Sequence, residues 1–190
     1  MGGGDKATRL IAGRSMFDRV TARLAPQASD MALNANGDPA RFADLGLPVI
    51  QDSISDYPGP LAGVLAGMDW AKGQGASHIL TVAADTPFFP TDLGARLAEA
   101  ISQETPIALA ATPDAKRGMV RHPTFGLWPV SLADDLRDAL CDGVRKVVLW
   151  TDRHGAASVA FPDEPFDPFF NVNTPDDMAV AEALAEEHGL

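Results

Sequence analysis

Residues 77–90 read Ser-His-Ile-Leu-Thr-Val-Ala-Ala-Asp-Thr-Pro-Phe-Phe-Pro. The first eight form a short apolar run of strand length, which predicts a strand buried on both faces. Asp85 follows at once, and Pro87 and Pro90 stiffen the exit. Residues 91–103 then take a helical pattern, with Thr91 as the N-cap candidate. A strand that ends in a polar tip and feeds a helix is the repeating unit of a parallel sheet covered on both faces. In such sheets ligands collect at the carboxyl ends of the strands.

The same alternation extends in both directions. Phe17, Val20 and Leu24 share one face of a helix over residues 16–24. Short strands are expected at 30–34, ending in Asn34, and at 48–50, ending near Asp52, with a short helix at 41–45 between them. Residues 60–72 read as a helix rich in small residues, able to pack closely on a sheet. Downstream, strands are expected at 107–111, 122–129, 157–161 and 169–172. Ser131 should cap a helix that stops near Gly143. Pro175 should open a last helix with Asp176 and Asp177 in its acidic first turn. The reading is an α/β chain with a largely parallel sheet and one domain over residues 1–190.

Composition narrows the function classes. The net charge of −11 opposes a nucleic-acid partner, which would need a basic face. No apolar run approaches the roughly 20 residues of a membrane span, and no signal peptide is visible. Cys141 is the lone cysteine and cannot form an intrachain disulfide, so a cytoplasmic setting is expected. Ser-His-Asp spacing, a zinc-type Cys/His cluster and a Walker A Lys-Ser/Thr pair are all absent, which weakens hydrolase and P-loop readings.

Four stretches could carry chemistry. Met1-Gly2-Gly3-Gly4-Asp5-Lys6 resembles an anion-binding loop, in which glycines bring backbone N–H groups to a phosphate and the lysine adds a point charge. Asp85 could hold Mg²⁺, which takes few protein carboxylates beside phosphate oxygens, or it could cap the next turn. Gly59 and Gly63, in DSISDYPGPLAG (52–63), allow close approach of a ring or a phosphate, or tight helix–sheet packing. Asn171 and Asn173 in FNVNTP (170–175) lie on one side of an extended segment. They could bind metal or substrate, or form an Asx turn and helix cap with Thr174.

Arg121, His122, Arg145 and Lys146 are the basic spots, open either to an anionic substrate or to solvent, and a core or turn role is equally open for His122. His78 and His154 read as structural or surface residues. Trp70, Trp128 and Trp150 read as core rather than as a cofactor platform.

In series, MGGGDK, Asn34, DSISDYPGPLAG, DTPFFP, RHPTFGLW, RKV and FFNVNTPDD resemble the molybdenum cofactor guanylyltransferases, the MobA family, from residue 1 to about residue 180. The resemblance implies a three-layer α/β/α nucleotidyltransferase fold and transfer of GMP from GTP to the phosphate of molybdenum-molybdopterin, with release of pyrophosphate. It implies Lys6 on the GTP phosphates, with Gly3 and Gly4 in the GTP loop. It sets Asn34 and Asp52 at the guanosine end, Gly59 and Gly63 lining the nucleotide site, and Asp85 on Mg²⁺. Asn171, Asn173, Arg121, His122, Arg145 and Lys146 fall on the pterin side. Molybdoenzyme chaperones or molybdenum-insertion proteins are the implied protein partners.

The family begins with an apolar strand and a Leu-Ala-Gly-Gly turn that this sequence lacks, so an N-terminally incomplete chain is expected. The missing strand is expected to be central in the sheet, and its two neighbours would then have unpaired ladder groups. Cytidylyl or other nucleotidyl transfer, and a non-catalytic molybdopterin-binding or assembly role, are the alternatives.

Overall fold

A computed structural model describes residues 9–54 and 59–190. In chain order the elements are strands β1 (Leu10–Ile11) and β2 (Arg14–Ser15), helix α1 (Met16–Leu24), strands β3 (Leu33–Asn34) and β4 (Val49–Ile50), helix α2 (Pro60–Gly73), strand β5 (His78–Thr81) and helix α3 (Leu93–Ala100). Strands β6 (Ile107–Asp114) and β7 (Gly118–Pro129) follow, then helices α4 (Ala133–Cys141) and α5 (Val147–His154), strand β8 (Ala156–Ala160) and helix α6 (Pro175–His188).

The main sheet has the order β5-β7-β6-β8. β6 and β8 are parallel, and β7 runs antiparallel to both β5 and β6. Three of its four strands therefore point one way. The inversion of β7 has a local cause in the Asp114 turn. The Asp114 carboxylate accepts the N–H groups of Lys116 (2.9 Å) and Arg117 (2.7 Å), and Gly118 enters β7 at φ 76°. A side chain that mimics a backbone turn closes a hairpin where a crossover helix would give a parallel neighbour. β3 and β4 pair parallel to each other as a separate two-stranded sheet, with Leu33 opposite Val49 and Asn34 opposite Ile50.

Alternation along β6 sets the three layers. Ile107 and Leu109 face a core with Leu61, Leu65 and Met68 of α2, Leu136 and Leu140 of α4, and Trp150 of α5. Ala108 and Ala110 face the opposite core, with Val20 of α1, Leu93 and Leu97 of α3, and Phe125, Phe161 and Phe169. Alanines on that side of β6 leave room for the aromatic rings, which meet at 4.8 Å for Phe125–Phe169 and 5.5 Å for Phe161–Phe169. A third cluster packs Ala181 and Ala185 of α6 on Ile11, Met16, Phe88 and Val172.

Several expectations are corrected. Residues 169–172 are irregular coil, because Val172 bonds the Asp85 carbonyl (2.8 Å) instead of a strand neighbour. Thr91 is not the N-cap of α3, which starts after Asp92 without a side-chain cap. α5 lies where the sequence reading had no helix.

Candidate functional site

β3 and β4 deliver the first group of polar side chains. Their ladder continues one step past the strands through Ala35 N–H to the Ile50 carbonyl (2.9 Å), which brings Asn34 and Asp52 side by side. Asn34 Nδ2 donates to Asp52 Oδ1 (3.0 Å) and to the Ile50 carbonyl (3.3 Å). Asn36 Nδ2 donates to Asp52 Oδ2 (2.7 Å), and Asp52 N–H donates to Asn36 Oδ1 (3.0 Å). Gly63, in the first turn of α2, faces this pair. A Cβ added there would sit 2.5 Å from Asn34 Oδ1 and 4.0 Å from Asp52 Oδ1. One turn on, a Cβ at Gly67 would come within 3.0 Å of Ile79 of β5. α2 therefore lies against both sheets through a glycine face.

The helix is itself held in place. Asp69 receives Arg137 of α4 on both carboxylate oxygens (2.7 and 2.8 Å), and Ser53, next to Asp52, donates to Asp69 (2.7 Å). Gly59 precedes α2, and a Cβ on it would lie 4.0 Å from the Arg145 carbonyl. The residues just before α5 thus border the start of α2.

The second group hangs from β5. Asp85 is half-buried four residues beyond the strand, and Thr86 beside it is fully buried. Thr86 Oγ1 donates to Asn171 Oδ1 (2.5 Å) and lies 3.4 Å from Asp85 Oδ1. With the Val172–Asp85 backbone bond, this joins the DTP and NVN loops into one unit. Asn173 and Thr174 donate their N–H groups to Asp177 Oδ2 (2.9 and 2.8 Å), and Thr174 Oγ1 accepts from Asp177 N–H (3.1 Å). The backbone there forms a capping box on α6.

Among the described residues no group of three His, Cys, Asp or Glu side chains could enclose a metal. The Asp85 carboxylate with the Asn171 carbonyl and the Thr86 hydroxyl is a small set of hard oxygen donors. It suits Mg²⁺, which keeps water and phosphate oxygens as its remaining ligands.

The other candidates separate by surroundings. Arg121 places its guanidinium on Ser158 (2.7 Å) and Asp152 (3.0 Å), tying β7 to β8 and α5. His122 bonds Thr112 (2.8 Å) and stacks on Phe169 (4.5 Å), and burial pulls its pKa down despite an opposing pull from Asp167. Arg145 and Lys146 are exposed before α5. Gly3, Gly4 and Lys6 lie outside the described residues.

Asn36 and Thr86 stand among these groups without having been singled out in the sequence, and Asp177, expected only as a first-turn acid of the last helix, also closes its capping box. The i, i+2 spacing used for Asn171 and Asn173 also relates Asn36 to Asn34, although Asn36 reads equally well as a turn residue before Gly37.

A cleft of about 550 Å³ lies between the two sheets, lined by Asn34, Ile50, Gly63, Gly67, Ile79 and Leu80 among others. Among the described residues β3 pairs only with β4, and β5 only with β7, so each leaves one ladder edge without a strand partner.

Comparison with known proteins bears on what this geometry serves. The family model described as a MobA-like NTP transferase domain matches residues 1–156. A molybdenum cofactor guanylyltransferase of Rhodopseudomonas palustris (strain BisB5) is 54% identical over 189 residues, covering 97% of this chain and 88% of that protein. One from Bradyrhizobium sp. (strain ORS 278) is 51% identical, with 97% and 87% covered. Among solved structures, the molybdopterin-guanine dinucleotide biosynthesis protein A of Archaeoglobus fulgidus superposes with a TM-score of 0.70. That likeness is at 22% identity over 97% of this chain and 92% of the other, and speaks for the fold.

Proposed function

The chain belongs to the MobA-like NTP transferase family, and from that premise we propose that it transfers GMP from GTP to the phosphate of molybdenum-bearing molybdopterin, releasing pyrophosphate. The strongest support is that relatives about half identical over nearly the whole chain are named molybdenum cofactor guanylyltransferases. The site chemistry agrees. Asn34 and Asp52 offer hydrogen-bonding groups to the guanosine, and the glycine at 63 keeps α2 clear of them. Lys6 meets the triphosphate in this reading.

Asp85, with Asn171 and Thr86 beside it, would hold Mg²⁺, which supplies charge neutralisation for the phosphates. A phosphate oxygen of molybdopterin attacks the α-phosphorus of GTP, and the bond to the bridging oxygen of the β-phosphate breaks as pyrophosphate leaves. That nucleophile is already ionised at neutral pH, so the protein needs no strong general base. The chain's own work is to hold two anions in line against their repulsion.

We assign the reaction to the cytoplasm, in keeping with lone Cys141, and the product passes to molybdoenzyme chaperones or molybdenum-insertion proteins. Among the described residues no helix is long and apolar enough to cross a membrane.

The test is transfer with radiolabelled GTP or CTP, together with calorimetric titration of each nucleotide in Mg²⁺. GTP should bind and react, and CTP should do so at least about tenfold less well. Asp85→Asn should cut transfer by about 100-fold or more with an unchanged melting temperature. Transfer from CTP alone would make the protein a cytidylyltransferase. Molybdopterin binding without any nucleotide binding would make it a carrier.

A further inference from the structure

We infer that Asn36 is a positioning residue that locks the Asp52 carboxylate, and through it sets nucleotide selectivity; this rests on the GTP reading above. Asn36 stands two residues beyond Asn34 on the same side of an extended segment. Both ends of its amide are used on one partner, the nitrogen on Asp52 Oδ2 (2.7 Å) and the oxygen on Asp52 N–H (3.0 Å). Turning the amide over would set donor against donor and oxygen against carboxylate, so this pairing fixes its orientation. An aspartate at 36 would oppose two carboxylates.

Asn34 takes the other oxygen, Asp52 Oδ1 (3.0 Å). Each carboxylate oxygen then accepts one N–H from the chain and keeps lone-pair capacity for a ligand. Held at both oxygens, the group cannot rotate freely about its terminal torsion. It presents a fixed pair of acceptors, which fits a ligand with two neighbouring donors. A GTP nucleoside has two such pairs, N1–H with the 2-amino group on the base and the 2′,3′-diol on the sugar. A cytosine base has an acceptor beside its amino donor, which a fixed carboxylate disfavours. Among the described residues, the carboxylate without Asn36 keeps the Asn34 bond alone and pivots on it. Asn36 is exposed, so its truncation leaves the core intact.

The experiment measures kcat and KM for GTP, ITP and 2′,3′-dideoxy-GTP in Mg²⁺ for wild type, Asn36→Ala, Asp52→Ala and the double variant, with melting temperatures alongside. Asn36→Ala should raise the KM for GTP roughly tenfold with kcat held. ITP, which lacks the 2-amino group, should lose less than GTP; relief confined to the dideoxy nucleotide would place the carboxylate on the diol that CTP shares and overturn the selectivity. The Asn36→Ala effect should vanish on the Asp52→Ala background. Additive effects, an equal KM rise for all three nucleotides, or no change in KM would each overturn the proposal while leaving the GTP reading standing. Wild-type protein that binds no GTP would overturn both.

Discussion

At Gly63 one missing carbon makes room for the Asn34–Asp52 pair. Alanine there should be favoured by helix propensity, by about 1 kcal/mol. Its methyl group, however, would meet Asn34 Oδ1 at 2.5 Å, so Asn34 must move and its bond to Asp52 must lengthen or break. Gly63→Ala should therefore leave the melting temperature within a few degrees of wild type while weakening GTP binding roughly tenfold, as calorimetry would show. Affinity unchanged from wild type would mean that Asn34 can shift freely. The polar residues at strand ends were legible before the structure, because an apolar run that stops at Asn34, Asp52 or Asp85 leaves few other places for that side chain. Asn36 was not, since an exposed asparagine before Gly37 reads equally well as a turn residue. Thr86 was hidden for another reason: its partner Asn171 is 85 residues away.

Elements with a strong period or a cap were readable at their own scale. α1, α2 and α6 lie close to their expected ranges, and the Thr174–Asp177 cap sits where Pro175 announces a helix. α5 escaped because its interior Val147-Val148-Leu149-Trp150 reads as readily as a strand. The helix is secured by tertiary ties instead, with Asp135 of α4 accepting from Trp150 Nε1 (2.8 Å) and meeting His154 Nε2 (2.7 Å). The hairpin between β6 and β7 was likewise obscured, since two strands without a helix between them do not by themselves declare their directions. α5 hands over to β8 at Gly155, where φ is +79° and a Cβ would overlap the carbonyl oxygen of Glu104. Gly155→Ala combines left-handed backbone with a backbone clash, so it should cost about 2 kcal/mol or more. Urea unfolding would register that loss, and a midpoint equal to wild type would contradict the geometry.

For the molecule as a whole, stability should depend on pH through His122. Burial depresses its native pKa below the ordinary value of 6.5, so the unfolded chain binds the proton first as pH falls. The neutral ring's contribution is complete above 6.5 and is lost as pH drops through the native value. The wild-type urea midpoint should fall between about pH 7 and pH 5 by more than that of His122→Gln. Parallel pH curves would remove His122 from the account. Among the described residues the two sheets share no strand ladder. The Asn34–Asp52 pair rides on β3 and β4, Asp85 rides on the larger sheet, and α2 touches both sheets through Gly63 and Gly67. Among the described residues that helix joins the two sheets as a strut joins two plates. A ligand gripped at both ends would act as a second strut, felt as stiffening rather than as rearrangement. Amide protons of residues 33–35 and 49–52 should then exchange more slowly once nucleotide spans the gap.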